Sequence, residues 1–291
     1  MSLPKCFLEE KTAIVTGASA GIGRAVSHAL ANAGVNVVLA ARDAQRLSAV
    51  RDNLIEQTGV KVIAVPTDVT SIEQLRRLVD TAADEFGAVH ILVNNAGIDA
   101  FQPLHSMTPL EIARLVETNL TAAIQLTSLT IPHMLTAGWG HIVNMASTAG
   151  KYGPPFGGVY GASKAGLIAL TQSLRLEYRT LGLRATAICP GFAASGGIYD
   201  RIREKVGIDP PRVIGGTNAE TVARAVVRAI RKDQPEVIVN RPPQRPFFVA
   251  ATMFPSLGEY LFRKLGLRYF KRLGRAAETA AEPVVHHQDA A

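Results

Sequence analysis

The chain has two cysteines in 291 residues, Cys6 and Cys189. Two thiols so far apart exclude a disulfide framework and a paired CxxC or zinc pattern, and they fit a reducing compartment. Metal-binding order is equally scarce. His28, His90, His105, His133 and His141 show no HExxH or other ligand spacing, and His286-His287 read as part of a loose end, so no metal is expected. No run approaches the ~20 apolar residues that a membrane span needs. Residues 1–10 include Pro4, Lys5, Glu9 and Glu10 and do not resemble a secretory signal, so a cytoplasmic location is expected. The body also lacks a charge excess. Of 31 basic and 24 acidic residues, eight basic ones and a single acid, Glu259, fall in 241–275, which leaves 23 of each sign elsewhere. A nucleic-acid enzyme would spread basic residues along its working face, so nucleic acid is not expected as a partner.

What the chain does have is the balance of an ordinary globular protein, 47% hydrophobic and 19% charged, and enough length for one large α/β domain or two small ones. Seven short apolar runs read as strands: 12–16, 36–40, 62–65, 91–93, 141–145, 184–188 and 237–239. Between them lie helical stretches at 24–32, 44–57, 72–86, 109–135, 162–181 and 219–231. Strands separated by helices imply right-handed crossovers, and strands that are apolar throughout imply a sheet covered on both sides. The expected fold is a doubly wound, Rossmann-type parallel sheet of about seven strands with helices on both faces. It is read as one domain over 1–240, followed by a basic, aromatic-rich extension over 241–275 and a disordered tail over 276–291.

The turn after the first strand reads Thr16-Gly17-Ala18-Ser19-Ala20-Gly21-Ile22-Gly23. Glycines there let the backbone approach a pyrophosphate closely, and the following helix N-terminus offers free N–H groups to its charge. The spacing is GxxxGxG rather than GxGxxG, and a plain strand–helix turn would also use glycine as punctuation. Where the second strand ends, an acid would bind ribose hydroxyls; here Ala41 is followed by Arg42, which suits a 2′-phosphate and favours NADP(H) over NAD(H). Asp43 could be no more than an acid of the next helix. Asp68-Val69, just past the third strand, is placed for the adenine amino group, unless the acid serves only the helix N-cap region.

Tyr160 and Lys164 are four apart at the start of a helical stretch, so they share a face. An ammonium beside a phenol lowers the phenol from its usual ~10 and makes it an acid/base near neutral pH. Ser147, just past a strand end, could hold a carbonyl oxygen.

Taken with Asn94-Asn95-Ala96-Gly97, Asn119 and Pro190-Gly191, these motifs make the chain resemble the short-chain dehydrogenase/reductase family over residues 12 to about 240. The resemblance implies that Tyr160 exchanges the hydroxyl proton, Lys164 binds the nicotinamide ribose and tunes Tyr160, and Ser147 orients the substrate oxygen. It implies that Asn119 holds a water leading to Lys164. Asn95, Ala96 and Gly97 would line the cofactor cleft, and Pro190-Gly191 would lie beside the nicotinamide. It also implies a homodimer or homotetramer, with 110–135 and 162–181 pairing across a two-fold axis. The sequence departs from the family where a Thr is frequent four residues after Gly191; Ser195 stands there.

Segments 98–108, 148–158 and 192–214 should wall the substrate pocket. They supply Phe101, Met107, Tyr152, Phe156, Phe192, Ile198 and Tyr199, an apolar set that points to a hydrophobic carbonyl or alcohol. Seven of the chain's seventeen aromatic residues fall between Phe247 and Phe270. Apolar and basic residues recur there at helical spacing, and three readings stay open for 246–273. It could make peripheral contact with an anionic membrane, pack on a neighbouring subunit or over the pocket, or hang free, although its aromatic content argues against the last. The competing functions are a 3-oxoacyl-thioester reductase acting on a carrier protein, and a non-catalytic, cofactor-sensing binding protein on the same fold.

Overall fold

The computed structural model describes residues 5–194, 207, 211 and 214–281. Seven strands form one parallel sheet: β1 (Thr12–Thr16), β2 (Asn36–Ala41), β3 (Val62–Pro66), β4 (Ile91–Asn94), β5 (Gly140–Met145), β6 (Leu183–Pro190) and, last in sequence, β9 (Glu236–Val239). The order across it is β3-β2-β1-β4-β5-β6-β9. Successive strands are laid down in one direction from β1 to β3 and in the other from β4 onward, and a crevice opens at that switch point between β1 and β4, beyond the strands' C-terminal ends. A separate two-residue parallel pair, β7 (Ala193–Ala194) and β8 (Thr217–Asn218), lies beyond β6.

The strands are apolar on both faces because both faces are covered. Ala13 and Val15 of β1 point into one core, with Val26 and Leu30 of α1 (Gly21–Ala31), Leu47 of α2 (Ala44–Thr58) and Val226 of α7 (Ala219–Lys232). Ile14, between them, points into the other core, with Leu75 and Leu78 of α3 (Ile72–Phe86), Leu126 of α5 (Ala122–Thr136) and Leu174 of α6 (Gly158–Tyr178). A fully buried aliphatic side chain contributes ~1.5–3 kcal/mol, so this pattern locks each strand's register.

The stretch expected as one helix over 109–135 is interrupted. α4 (Pro109–Val116) runs into a π-helical turn at Glu117–Thr121, where the N–H of Ala122 donates to Glu117 O, and then into α5. α6 begins at Gly158, four residues before the expected start at 162, because Gly157 caps it without the polar side chain that would mark a start in sequence.

The extension does not hang free. It folds into α8 (Arg245–Met253), α9 (Pro255–Leu265) and α10 (Leu267–Ala281). Tyr269, Phe270 and Leu273 are buried against Phe101, Phe156, Phe192, Ile214 and Phe262. Helix continues through Ala281, past the boundary expected at 275; residues 282–291 lie outside the described residues.

Candidate active site

One cavity of about 1420 Å³ runs from the switch point to the C-terminal helices. Its nucleotide end is built by the turn after β1. Gly17 has a φ of +65°, and a Cβ on it would lie 2.9 Å from Asn95 Nδ2. A Cβ on Gly23 would collide with the Gly17 carbonyl oxygen and lie 2.5 Å from Asn95 Nδ2. The turn thus fits only without side chains at these points; Ser19, Gly21 and Ile22 face the cavity, while Gly23 packs against Gly17 and Asn95 instead. α1, whose N-terminus faces the cavity, has no side-chain cap. Its first-turn N–H groups are left for an anion, which fits the pyrophosphate of a dinucleotide.

Asp43 settles into one role. Its carboxylate accepts from the Arg46 N–H at 2.9 Å, capping α2, and pairs with the Arg46 guanidinium at 3.2 Å. Arg42 is exposed and lines the cavity beside Asp68 and Val69. The Asp68 carboxylate accepts from the Thr70 N–H at 3.0 Å and from its hydroxyl at 2.8 Å. These bonds, with smaller help from Arg42 and Arg114, hold its pKa below the ordinary carboxylate value. Arg114 and Arg46 also line this end. Sequence reasoning missed Arg114, because it arrives from α4 and carries no motif.

At the centre, Asn95, Ala96 and Gly97 line the cleft after β4. Asn95 Nδ2 donates to Thr16 O at 2.9 Å, and the N–H groups of Asn95 and Ala96 donate to Thr16 Oγ1 at 2.9 and 3.0 Å. Asn95 therefore ties β4 to the glycine turn. Behind it lies a buried amide chain that the sequence did not reveal. Asn94 donates to Asn144 Oδ1 at 2.9 Å and to Thr127 Oγ1 at 3.0 Å, and Asn144 donates to Thr171 Oγ1 at 2.9 Å. It pins α5 and α6 to the sheet with every bond satisfied, as burial requires.

α6 presents Tyr160 and Lys164 from its first two turns. Lys164, 4% exposed, donates to Met145 O at 2.9 Å, and its Nζ lies 5.8 Å from the Tyr160 ring centre. The Ser147 hydroxyl lies beside the Tyr160 phenol, and its Oγ accepts from the Ala149 N–H at 3.1 Å and donates to Pro190 O at 3.5 Å. The expectation that the ammonium dominates the phenol is corrected here. Burial is the larger effect and pushes Tyr160 up to about 12; the Ser147 hydroxyl pulls it down, and Asp99 pushes it further up. Burial also lowers Lys164 to about 8. Asn119 sits in the π-helical turn behind Lys164 rather than on the cavity wall. Its amide accepts from the Ile98 N–H at 2.8 Å and donates to Ile98 O at 2.9 Å and Ser163 Oγ at 3.2 Å. π-turns of this kind recur at functional sites.

Pro190 and Gly191 line the cavity opposite, with Phe192 beyond them. Of the expected pocket residues, Phe101, Tyr152 and Phe192 line it. Met107 does not, and Phe156 packs on Gly274 instead, drawn away by the C-terminal helices. Ser195, Ile198 and Tyr199 lie outside the described residues. The far wall comes from the extension: Phe247, Phe248, Leu261, Phe262, Leu265 and Phe270. Rings pass inward from it, Phe262 to Phe270 at 5.5 Å, Phe270 to Phe101 at 6.2 Å and Phe101 to Tyr160 at 5.9 Å.

The family model described as short chain dehydrogenase matches residues 11–205. The ketoacyl reductase HetN of a Nostoc species is 40% identical over 236 residues, 81% of this chain and 80% of that protein. A crystal structure of a short chain dehydrogenase/reductase from Burkholderia phymatum in complex with NAD matches with a TM-score of 0.76 and 30% identity, over 86% of this chain and 95% of that one. A metagenomic short-chain oxidoreductase in complex with NADP matches with a TM-score of 0.67 and 32% identity, over 80% and 97%. The glycine turn, Tyr160 beside the buried Lys164 and these matches agree: the chain belongs to the short-chain dehydrogenase/reductase family, oxidoreductases that act on alcohols and ketones with a nicotinamide cofactor.

Proposed function

We propose that the chain interconverts a hydrophobic alcohol and its carbonyl with NADP(H), using Tyr160 as the proton donor and acceptor. The observation that carries this reading is Tyr160, which with Ser147 and Lys164 lines a cavity whose far wall is aromatic. Gly17, Ser19, Gly21, Ile22 and the α1 N-terminus would hold the pyrophosphate, Asp68 and Val69 the adenine, Asn95, Ala96 and Gly97 the middle of the cleft, and Pro190 and Gly191 the nicotinamide end. The cofactor supplies or accepts the hydride. Ser147 donates a hydrogen bond to the substrate oxygen and fixes it against Tyr160 Oη. In reduction, the phenol gives its proton to that oxygen; in oxidation it takes one back. A phenol near 12 is fully protonated at neutral pH, which favours reduction. Charged Lys164 stabilises the phenolate that the proton leaves behind, and Asn119 positions Lys164 by filling the space behind Gly97, where a Cβ would lie 3.2 Å from Asn119 Oδ1 and 3.5 Å from Lys164 Nζ.

The preference for NADP(H) rests on Arg42, with Asp43 occupied in capping α2. Titration with NADPH and NADH, followed by intrinsic fluorescence, checks it. NADPH should bind at least about tenfold more tightly, and Arg42→Ala should close most of that gap. Equal affinities would remove the preference, and no binding of either would remove the dinucleotide reading. A second reading, a 3-oxoacyl thioester as substrate, is favoured by the similarity to a protein named ketoacyl reductase. Assembly into a homo-oligomer belongs to the same proposal, since the large apolar side chains Leu176 on α6 and Ile124 on α5 are 86% and 42% exposed.

A further inference from the structure

The C-terminal helices have a second face that the reaction does not use. Val249, Met253, Phe254, Leu257 and Tyr260 are between 46% and 68% exposed. Residues 249 and 253, and again 257 and 260, lie one turn apart and share the outer faces of α8 and α9. Six of the large hydrophobic side chains left exposed among the described residues fall within 249–265, which concentrates them far beyond scattered surface residues. On the same three helices, Arg245, Arg263, Lys264, Arg268, Lys271 and Arg272 are exposed. Glu259, paired with Arg263 at 3.5 Å, is the only acid in 241–275. Lys264 Nζ stands 5.9 Å from the Tyr260 ring centre, a cation lying along an aromatic body.

We infer that this face docks on an anionic lipid bilayer, with the apolar side chains of α8 and α9 in the headgroup boundary and the exposed cations of the C-terminal helices against lipid phosphates. Cations alone would suit any acidic partner, but the side chains from Val249 to Tyr260 need an apolar phase as well. A second copy supplies that phase while bringing the same positive charges to the same place, which repel across a two-fold axis. No helix among the described residues is long and apolar enough to cross a membrane, so the contact is peripheral. Docking does not depend on which reaction the site performs. It sets a roof one helix thick between the bilayer and the cavity, because Leu261 and Phe262 of α9 line the inside while Leu257 and Tyr260 face out.

Co-sedimentation of the full chain with phosphatidylcholine vesicles, with and without about 30% phosphatidylglycerol, tests this. Binding to the anionic vesicles should exceed binding to neutral ones by about tenfold or more. Both Met253→Ser/Phe254→Ser and Arg268→Glu/Lys271→Glu should lose at least about tenfold, with dinucleotide affinity unchanged as the check on folding. No sedimentation with anionic vesicles overturns the proposal. So does sedimentation that ignores the Met253/Phe254 change, which would leave only a charge contact. A native mass that falls in that variant by light scattering would assign the face to a second copy and overturn it too.

Discussion

Lys164 has lost nearly all contact with water, and its acidity records that loss. Burial brings the ammonium from its usual 10.5 to about 8, a change of roughly 3 kcal/mol against the charged form. The sign is direct: below pH 8 the amine is charged, and above it the charge goes. About nine in ten molecules carry it at pH 7 and about one in ten at pH 9. If the charge is what stabilises the phenolate that forms when Tyr160 gives up its proton, kcat/KM for reduction should be flat below pH 8. It should then fall about tenfold per pH unit above, because this parameter reports the free enzyme. Tyr160, pushed up to about 12, cannot produce that limb, since it is still protonated there. The assay is the pH profile of NADPH oxidation against a fixed hydrophobic ketone, with Lys164→Arg alongside. A guanidinium does not titrate in this range, so the arginine variant should lose rate but also lose the limb. A profile flat to pH 9.5, or a limb that survives in Lys164→Arg, would refute the reasoning.

Three further outcomes follow from the packing. Gly23→Ala should weaken dinucleotide binding at least about tenfold by pushing on the Gly17 carbonyl, although Ala normally favours a helix by ~1 kcal/mol; unchanged binding by titration would mean that the turn yields freely. Phe270→Ala should cost about 3–5 kcal/mol in urea unfolding and raise KM more than it lowers kcat, because the ring is buried against Phe101, Phe192 and Phe262; a loss below about 0.5 kcal/mol would fit a free appendage instead. His141, fully buried, is lowered to about 3 by burial, so below pH 6.5 the unfolded chain gains a proton that the fold refuses. Stability should fall by about 2 kcal/mol from this group between pH 7.5 and 5, and His141→Gln should remove that part of the slope in denaturant midpoints.

His141 also explains why some of the interior could not be read in advance. Its Nε2–H donates to Thr186 Oγ1 at 2.8 Å, because the Thr186 proton is taken by Gln234 O at 2.6 Å. Three chain segments meet there, and no local pattern announces it. The strands, the turn at Gly17–Gly23 and the Tyr160–Lys164 spacing are local, and periodicity or punctuation marks them; the structure places them in one cleft. The Asn94–Asn144–Thr171 chain looks in sequence like polar residues scattered through strands and a helix, and becomes a network only when β4, β5 and α6 pack. Arg114 enters the nucleotide end the same way. The extension was legible as amphipathic, since aromatic and basic residues alternate at helical spacing. Which face turned inward was not, because Phe262 and Phe270 find Tyr152 and Phe101 across more than a hundred residues of chain. The surroundings of the Tyr160 hydroxyl were hidden for the same reason, and with them the rise of its pKa.

Position and burial together make the central claim, that one hydroxyl performs the proton transfer. Tyr160→Phe removes that oxygen and leaves the ring against Phe101. Turnover of a hydrophobic ketone by NADPH should drop by about a hundredfold or more, the usual contribution of a positioned acid, while the NADPH dissociation constant stays within about threefold. Turnover within about tenfold of the parent, with binding intact, would contradict the assignment of Tyr160 as the acid.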